Sequence, residues 1–211
     1  PRLVGDGEGT TPLVLAGSRL YLRRYWQFEQ SIRAAVDART RPGVLPAPDD
    51  AALRRALDAL FPPSDAAPLD WQKLACALAA RSAFAIVTGG PGTGKTTTVV
   101  KLLALLQQLA LAPSAGGRAL RIRMAAPTGK AAARLNESIT KAVAGLVLDG
   151  LDDPVAVRAA IPTEVTTLHR LLGSRPDTRH FRHDARHRLA LDVLVIDEAS
   201  MVDLEMMAAV L

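Results

Sequence analysis

Two kinds of hydrophobic patterning divide the chain. Across residues 12–24 apolar and polar positions alternate, as they do in half-buried strands. The alternation predicts two short strands, Leu13-Val14-Leu15 and Leu20-Tyr21-Leu22, joined through Ala16-Gly17-Ser18. Helical spacing follows over 26–38, from a cap at Asp49 or Asp50 to Leu60, and over 69–81. Pro42, Pro46 and Pro48, then Pro62, Pro63 and Pro68, mark the loops between these helices. From residue 83 the alternation gives way to short continuous apolar runs at 83–88, 121–126 and 193–196. Helical patterns at 96–111 and 130–148 lie between them, with a loop at 113–117. Strands without alternation, separated by helices, predict a parallel sheet covered on both faces. The expected class is therefore α/β, with residues 66–211 as the main domain and 1–65 as a small, partial N-terminal one. Tyr21, Tyr25, Trp26 and Phe28 cluster in the small domain, where they are expected to build its core rather than to stack bases.

Length and composition narrow the classes. With roughly 150 residues per domain as the prior, 211 residues hold one large domain, or a large one with a smaller companion. No stretch approaches the roughly 18 uncharged apolar residues of a membrane span, so no membrane role is expected. The first residues lack an apolar signal core, and secretion is not supported. Cys76 is the single cysteine, which excludes an internal disulfide framework or a cysteine-cluster zinc site and points to a reducing, cytoplasmic setting. The chain begins without Met, and 203–211 is a helical pattern with no stop signal; a piece of a longer protein is expected. Net charge is +5, but the excess is local. Residues 118–188 are rich in Arg, while 189–211 carry acidic but no basic side chains. Such a split suits attraction to a polyanion in the middle and metal holding near the end.

The strongest chemical signal is Gly89-Gly90-Pro91-Gly92-Thr93-Gly94-Lys95-Thr96, followed by Thr97. It fits G-x-x-x-x-G-K-[ST] and sits after an apolar run and at the start of a helix. The glycines let backbone N–H groups turn inward around phosphate, and the helix start adds its positive dipole end. Lys95 is expected to reach the β- and γ-phosphates of ATP, and the Thr96 hydroxyl to ligate Mg²⁺. A ligand-free Gly-rich turn is the structural alternative. The run 193–196 ends in Asp197-Glu198. There Asp197 is expected to hold Mg²⁺, and Glu198 to orient and deprotonate the attacking water, which favours a hydrolase. The alternative is an Asp that caps the next turn.

Four motifs stand in series: 89–96, 125–135 (Ala125-Ala126-Pro127-Thr128-Gly129-Lys130-Ala131-Ala132-Ala133-Arg134-Leu135), 166–173 (Thr166-Thr167-Leu168-His169-Arg170-Leu171-Leu172-Gly173) and 192–203. Together they resemble the superfamily 1 DNA helicases, and within them the RecD-type subunits of the bacterial RecBCD helicase–nucleases. The resemblance covers residue 69 to the end closely and 13–40 more loosely. It implies a RecA-like P-loop lobe using ATP and Mg²⁺, moving 5′ to 3′ on single-stranded DNA beside RecB-like and RecC-like subunits in double-strand break repair. It implies that the N-terminal domain contacts the large non-motor subunit of the complex, and that Gln72, in Asp70-Trp71-Gln72, reads the adenine edge. It also implies a second lobe supplying an arginine worth roughly 10³–10⁵ in rate; without that lobe this stretch is expected to hydrolyse ATP very slowly. A stand-alone RecD-like helicase and an assembly module with a merely structural nucleotide site remain as alternatives.

Pro127, Thr128, Gly129 and Lys130 open the second helix of the main domain, where free N–H groups, a hydroxyl and an ammonium suit a DNA phosphate or simply cap a helix. Spacing leaves both open, and the resemblance assigns DNA. His169 and Arg170 are weaker candidates for the same backbone. His180, His183 and His187 would share a helix face, but the Arg residues interleaved with them in 175–188 would repel a cation. A basic loop or hairpin is expected there instead of a zinc site.

Overall fold

A computed structural model describes residues 3–63, 69–90, 92–175, 178 and 180–211. The expected boundary near residue 65 lies outside the described residues. Strands β1 (Val4–Gly5), β2 (Leu13–Ala16) and β3 (Arg19–Leu22) form one small sheet in that order. β2 and β3 make the antiparallel hairpin that the alternation predicted, with Leu15 opposite Leu20. Val14 is fully buried beneath it. Helix α1 (Arg23–Thr40) follows without a break. The aromatics of β3 and α1 are a correction to the expected core: Tyr25 is exposed, while Tyr21, Trp26 and Phe28 are only half-buried. The sheet is too small to cover them. The Trp26 ring instead lies against Gly7, where a Cβ would come within 2.8 Å of it. Arg23 ties down the loop before β2, donating to the Gly7 carbonyl at 2.8 Å and to Thr11 Oγ1 at 2.6 Å.

Helices α2 (Asp50–Leu60) and α3 (Trp71–Ala79) start where aspartates accept free amide N–H groups, from Asp49 and Asp70 respectively. Helix α4 (Lys95–Leu111) is the central helix, packed by α2, α3, α5 (Gly129–Ala144) and α6 (Pro154–Ala160). Its Val100, Leu103, Ala104 and Leu105 are essentially inaccessible to solvent. Cys76 lies in the same core, where burial pushes its thiol up to about 12.

The second sheet is parallel throughout, in the order β5 (Val165–Thr167), β4 (Ile122–Ala126), β6 (Val193–Ile196). Alternate side chains of β6 enter two different cores. Val193 and Val195 pack toward α4 and its neighbours. Leu194 and Ile196 pack toward α7 (Leu168–Leu172) and α8 (Leu204–Val210). A four-residue apolar run with no alternation is the sequence imprint of that two-sided burial. α8 also packs against α1.

One expected strand is absent. Residues 83–88 are irregular, pair with no strand among the described residues, and leave Ile86 75% exposed. An apolar run becomes a strand only when a neighbouring backbone completes its hydrogen bonds, and here none does. Conversely, β5 and α6 were not predicted, being three and seven residues long with little periodicity to read.

A buried polar side chain in the core holds distant segments together. Gln107 is fully buried; its amide donates to the carbonyls of Leu120 (3.0 Å) and Ala160 (2.9 Å), and its oxygen accepts from the Leu120 N–H (2.8 Å). Gln107→Leu keeps the volume but orphans those groups, and is expected to cost on the order of 1–3 kcal/mol in urea unfolding. Val155→Ala, at a side chain 80% exposed on α6, should move stability by less than about 0.5 kcal/mol. Equal midpoints for Gln107→Leu and the parent would contradict this account.

Candidate functional site

The glycine loop closes on a left-handed residue at each side of Thr93. Gly92 has φ 75° and Gly94 φ 81°, conformations that a Cβ disfavours. Gly94 is the residue before α4, and no side chain caps that helix start. The first-turn N–H groups of α4 therefore have no capping side chain to accept them. Pro91 lies outside the described residues. Thr93 is exposed and its hydroxyl donates to the Gly90 carbonyl at 2.9 Å. Lys95 folds back over the loop, its Nζ donating to the carbonyls of Gly89 (2.7 Å) and Gly90 (2.9 Å). Thr96 is half-buried in the first turn of α4, and Thr97 is exposed beside it.

Gln72 joins this loop. Its Nε2 donates to the Thr93 carbonyl at 3.1 Å and lies 2.5 Å from where a Cβ on Gly94 would stand. Asp70 fixes the start of α3 by accepting from the N–H groups of Gln72 (2.9 Å) and Lys73 (3.0 Å). One short helix thus brings the Gln72 amide to the rim of the glycine loop.

The other candidates gather at the carboxyl ends of the parallel strands. Ala126 is in register with Thr167, and Ala125 with Ile196. Pro127–Lys130, His169 and the Asp197–Glu198 pair consequently leave the sheet along one edge, the edge where open α/β sheets hold ligands. Thr128 caps α5, its hydroxyl accepting from the Ala131 N–H at 3.2 Å. Gly129 and Lys130 are exposed, and Pro127 is half-buried. His169 is exposed, with the Phe181 ring edge-on at 6.2 Å between centroids. Asp197 is half-buried, its N–H held by the Ala125 carbonyl at 3.0 Å. Among the described residues no hydrogen bond or ion pair links Asp197 or Glu198 to the glycine loop.

The position of β6 depends on a clamp that the sequence did not reveal. Asp192, one residue before β6, accepts from Arg121 Nη2 (3.0 Å) and Arg118 Nη1 (3.1 Å), and from the Arg121 backbone N–H (2.8 Å). The Arg121 and Arg118 guanidinium groups hold its carboxyl well below the usual carboxylate range. The partners lie about seventy residues apart in sequence, so no local spacing could have signalled the pair.

The histidine segment is not helical. The Arg182 N–H donates to the Gly173 carbonyl, the His183 N–H to the Leu172 carbonyl, and Ser174 bridges Phe181 in antiparallel fashion. These contacts hold Phe181, Arg182 and His183 against the end of α7. Among the described residues no cluster of three or more His, Cys, Asp or Glu is placed to hold a metal ion.

Comparison with known proteins agrees with this arrangement. A family model described as an AAA domain matches residues 72–211. The chain belongs to the AAA domain family. Its α/β, P-loop class is the one its loop and parallel sheet display. The chain is also similar to proteins named RecBCD enzyme subunit RecD. That of Mycolicibacterium smegmatis is 46% identical over 210 residues, covering 96% of this chain and 34% of the relative. That of Haemophilus influenzae is 41% identical over 197 residues, covering 93% and 30%. A protein named ATP-dependent RecD2 DNA helicase, from Deinococcus radiodurans, is 35% identical over 126 residues, or 60% of this chain. The chain spans about a third of the length of the RecD relatives it matches. Among the described residues, no helix is long and apolar enough to cross a membrane.

Glu198 carries a specific strain in this AAA domain. It is the only non-glycine residue with positive φ among the described residues (φ 51°, ψ 39°). A left-handed conformation costs an L-residue roughly 1–2 kcal/mol, partly offset in a glycine variant by the added freedom of its unfolded chain. Glu198→Gly is therefore expected to hold stability level or raise it by up to about 1 kcal/mol, while Glu198→Ala gains nothing. Urea midpoints of the two variants test this; a glycine variant less stable than the alanine variant would refute the strain.

Proposed function

We propose that this chain is the ATP-binding lobe of a RecD-like DNA helicase, a motor that couples ATP hydrolysis to 5′ to 3′ movement on single-stranded DNA. The observation that carries the reading is the glycine loop, with Gly94 left-handed and the uncapped start of α4 behind it. Lys95 and the α4 N–H groups present positive charge to phosphate. Gly89, Gly90, Gly92 and Thr93 line the cradle, with Thr97 beside Thr96. The Thr96 hydroxyl and the Asp197 carboxylate are oxygen donors of the kind Mg²⁺ prefers. When bound, ATP–Mg²⁺ supplies the phosphoanhydride and the charge neutralisation that hydrolysis requires. Glu198 accepts the proton of the attacking water, and Gln72 orients the base by its edge. On the opened edge of the sheet Lys130, the α5 start and His169 meet the DNA backbone, the first two through charge and free N–H groups.

Coverage supports the RecBCD-type reading over a stand-alone helicase. Similarity to the RecD subunits extends over 93–96% of the chain, so it includes most of the N-terminal sheet and α1, whereas the similarity to RecD2 covers 60%. RecB-like and RecC-like partners follow from that choice, with the N-terminal domain as the contact to the RecC-like subunit and residues from about 66 onward as the motor lobe.

The test uses the full-length protein with its partners. ATP hydrolysis should rise on adding single-stranded DNA and vanish in Lys95→Ala. Lys130→Ala should weaken DNA binding at all sequences and lower the log–log salt slope by about 0.7. Nucleotide affinity that does not change with DNA, and hydrolysis that survives Lys95→Ala, would favour the assembly-module alternative and overturn the motor.

A further inference from the structure

We infer that Trp71 is the stacking face for the purine of the bound nucleotide. The inference rests on the reading of the glycine loop as a nucleoside-triphosphate site, and adds to it the residue that recognises the flat face of the base. Trp71 is 72% exposed, more than any other aromatic side chain among the described residues. An indole carries roughly 200 Å² of largely apolar surface, and leaving it in water brings no folding benefit. The other tryptophan, Trp26, is half-buried against Gly7 and serves the N-terminal sheet.

Position gives Trp71 its role. It is the first residue of α3, and Asp70 pins that helix start through the N–H groups of Gln72 and Lys73. The next side chain, Gln72, is hydrogen-bonded to Thr93 at the rim of the loop. A nucleotide whose phosphates lie on the α4 start must carry its base out past that rim. The loop itself is built of glycine, proline, threonine and lysine and has no π surface. Gln72 provides one donor and one acceptor, enough for an edge but not for a face. The indole beside it supplies the missing face, and base–aromatic stacking tolerates any purine while adding affinity. Trp71, Leu74 and Leu78 also share one side of α3, and Leu78 is 60% exposed. The rival occupant of this side is thus a protein surface.

The experiment compares the full-length protein with its Trp71→Ala variant, so that the difference between their fluorescence signals reports Trp71. ATP and inorganic tripolyphosphate are titrated by fluorescence and by calorimetry, the latter ligand having phosphates but no base. ATP should quench the indole, and tripolyphosphate should bind without quenching. Trp71→Ala should weaken ATP roughly 5- to 100-fold, leave tripolyphosphate affinity unchanged, and be largely rescued by Trp71→Phe. Unchanged ATP affinity in Trp71→Ala would overturn the inference and leave the protein-docking explanation of the exposed stripe. If tripolyphosphate fails to bind, or binds equally well to Lys95→Ala, the glycine-loop reading itself falls and the stacking role falls with it.

Discussion

The backbone reversal at Gly94 governs the nucleotide end of the molecule. A left-handed residue there turns the chain directly into α4 without a capping side chain, and so leaves a row of N–H groups unpaired at the head of the most deeply packed helix. An exposed helix would let such a start fray. Here Val100, Leu103 and Leu105 anchor α4 in the core, so the open end is held still. The Lys95 ammonium and the Gln72 amide are both satisfied by loop carbonyls, which orders the cradle around the same reversal. Rigidity behind the loop and unsatisfied donors in front of it are what an anion-binding helix start requires.

The parallel sheet does the complementary work. Register places the ends of β4, β5 and β6 side by side, which brings three sequence motifs separated by up to seventy residues to one edge. The Asp192 clamp to Arg118 and Arg121 sets where β6 begins, and two-sided burial sets which way its side chains point. The acidic pair then emerges with Glu198 in a strained left-handed conformation. Strain of that kind persists where the surrounding structure over-determines it, and it commonly marks a functional position.

Much of this was readable in advance, for identifiable reasons. Asp49 announced its helix because capping is local chemistry between a carboxylate and the next two or three N–H groups. The run 193–196 announced a strand with a core on each face, and the glycine-rich stretch before Lys95 announced a helix start, because both depend on residue type over a few positions. Residues 83–88 carried the same apolar signal and yet form no strand, since pairing depends on a neighbour that the run itself cannot specify. The aromatics of the first third were expected in a core and lie half-open for a similar reason: burial depends on what packs over them. Gln107 and Asp192 were invisible because their partners are distant in sequence. Gln72 was found by family resemblance alone; a polar residue on a helix carries no signal of its own, and only its bond to Thr93 shows where it is aimed.

The central claim is that the glycine loop and the acidic pair serve one nucleotide-bound ion. The most direct measurement is a structure of the full-length protein with a non-hydrolysable ATP analogue and Mn²⁺ in place of Mg²⁺, the ion located by its anomalous scattering. The account predicts a single ion between the triphosphate and Thr96 Oγ1, with the Asp197 carboxylate reaching it directly or through one water and Glu198 facing the γ-phosphate. An ion and triphosphate bound away from Thr96, or Asp197 too remote to share that ion even through a water, would contradict it.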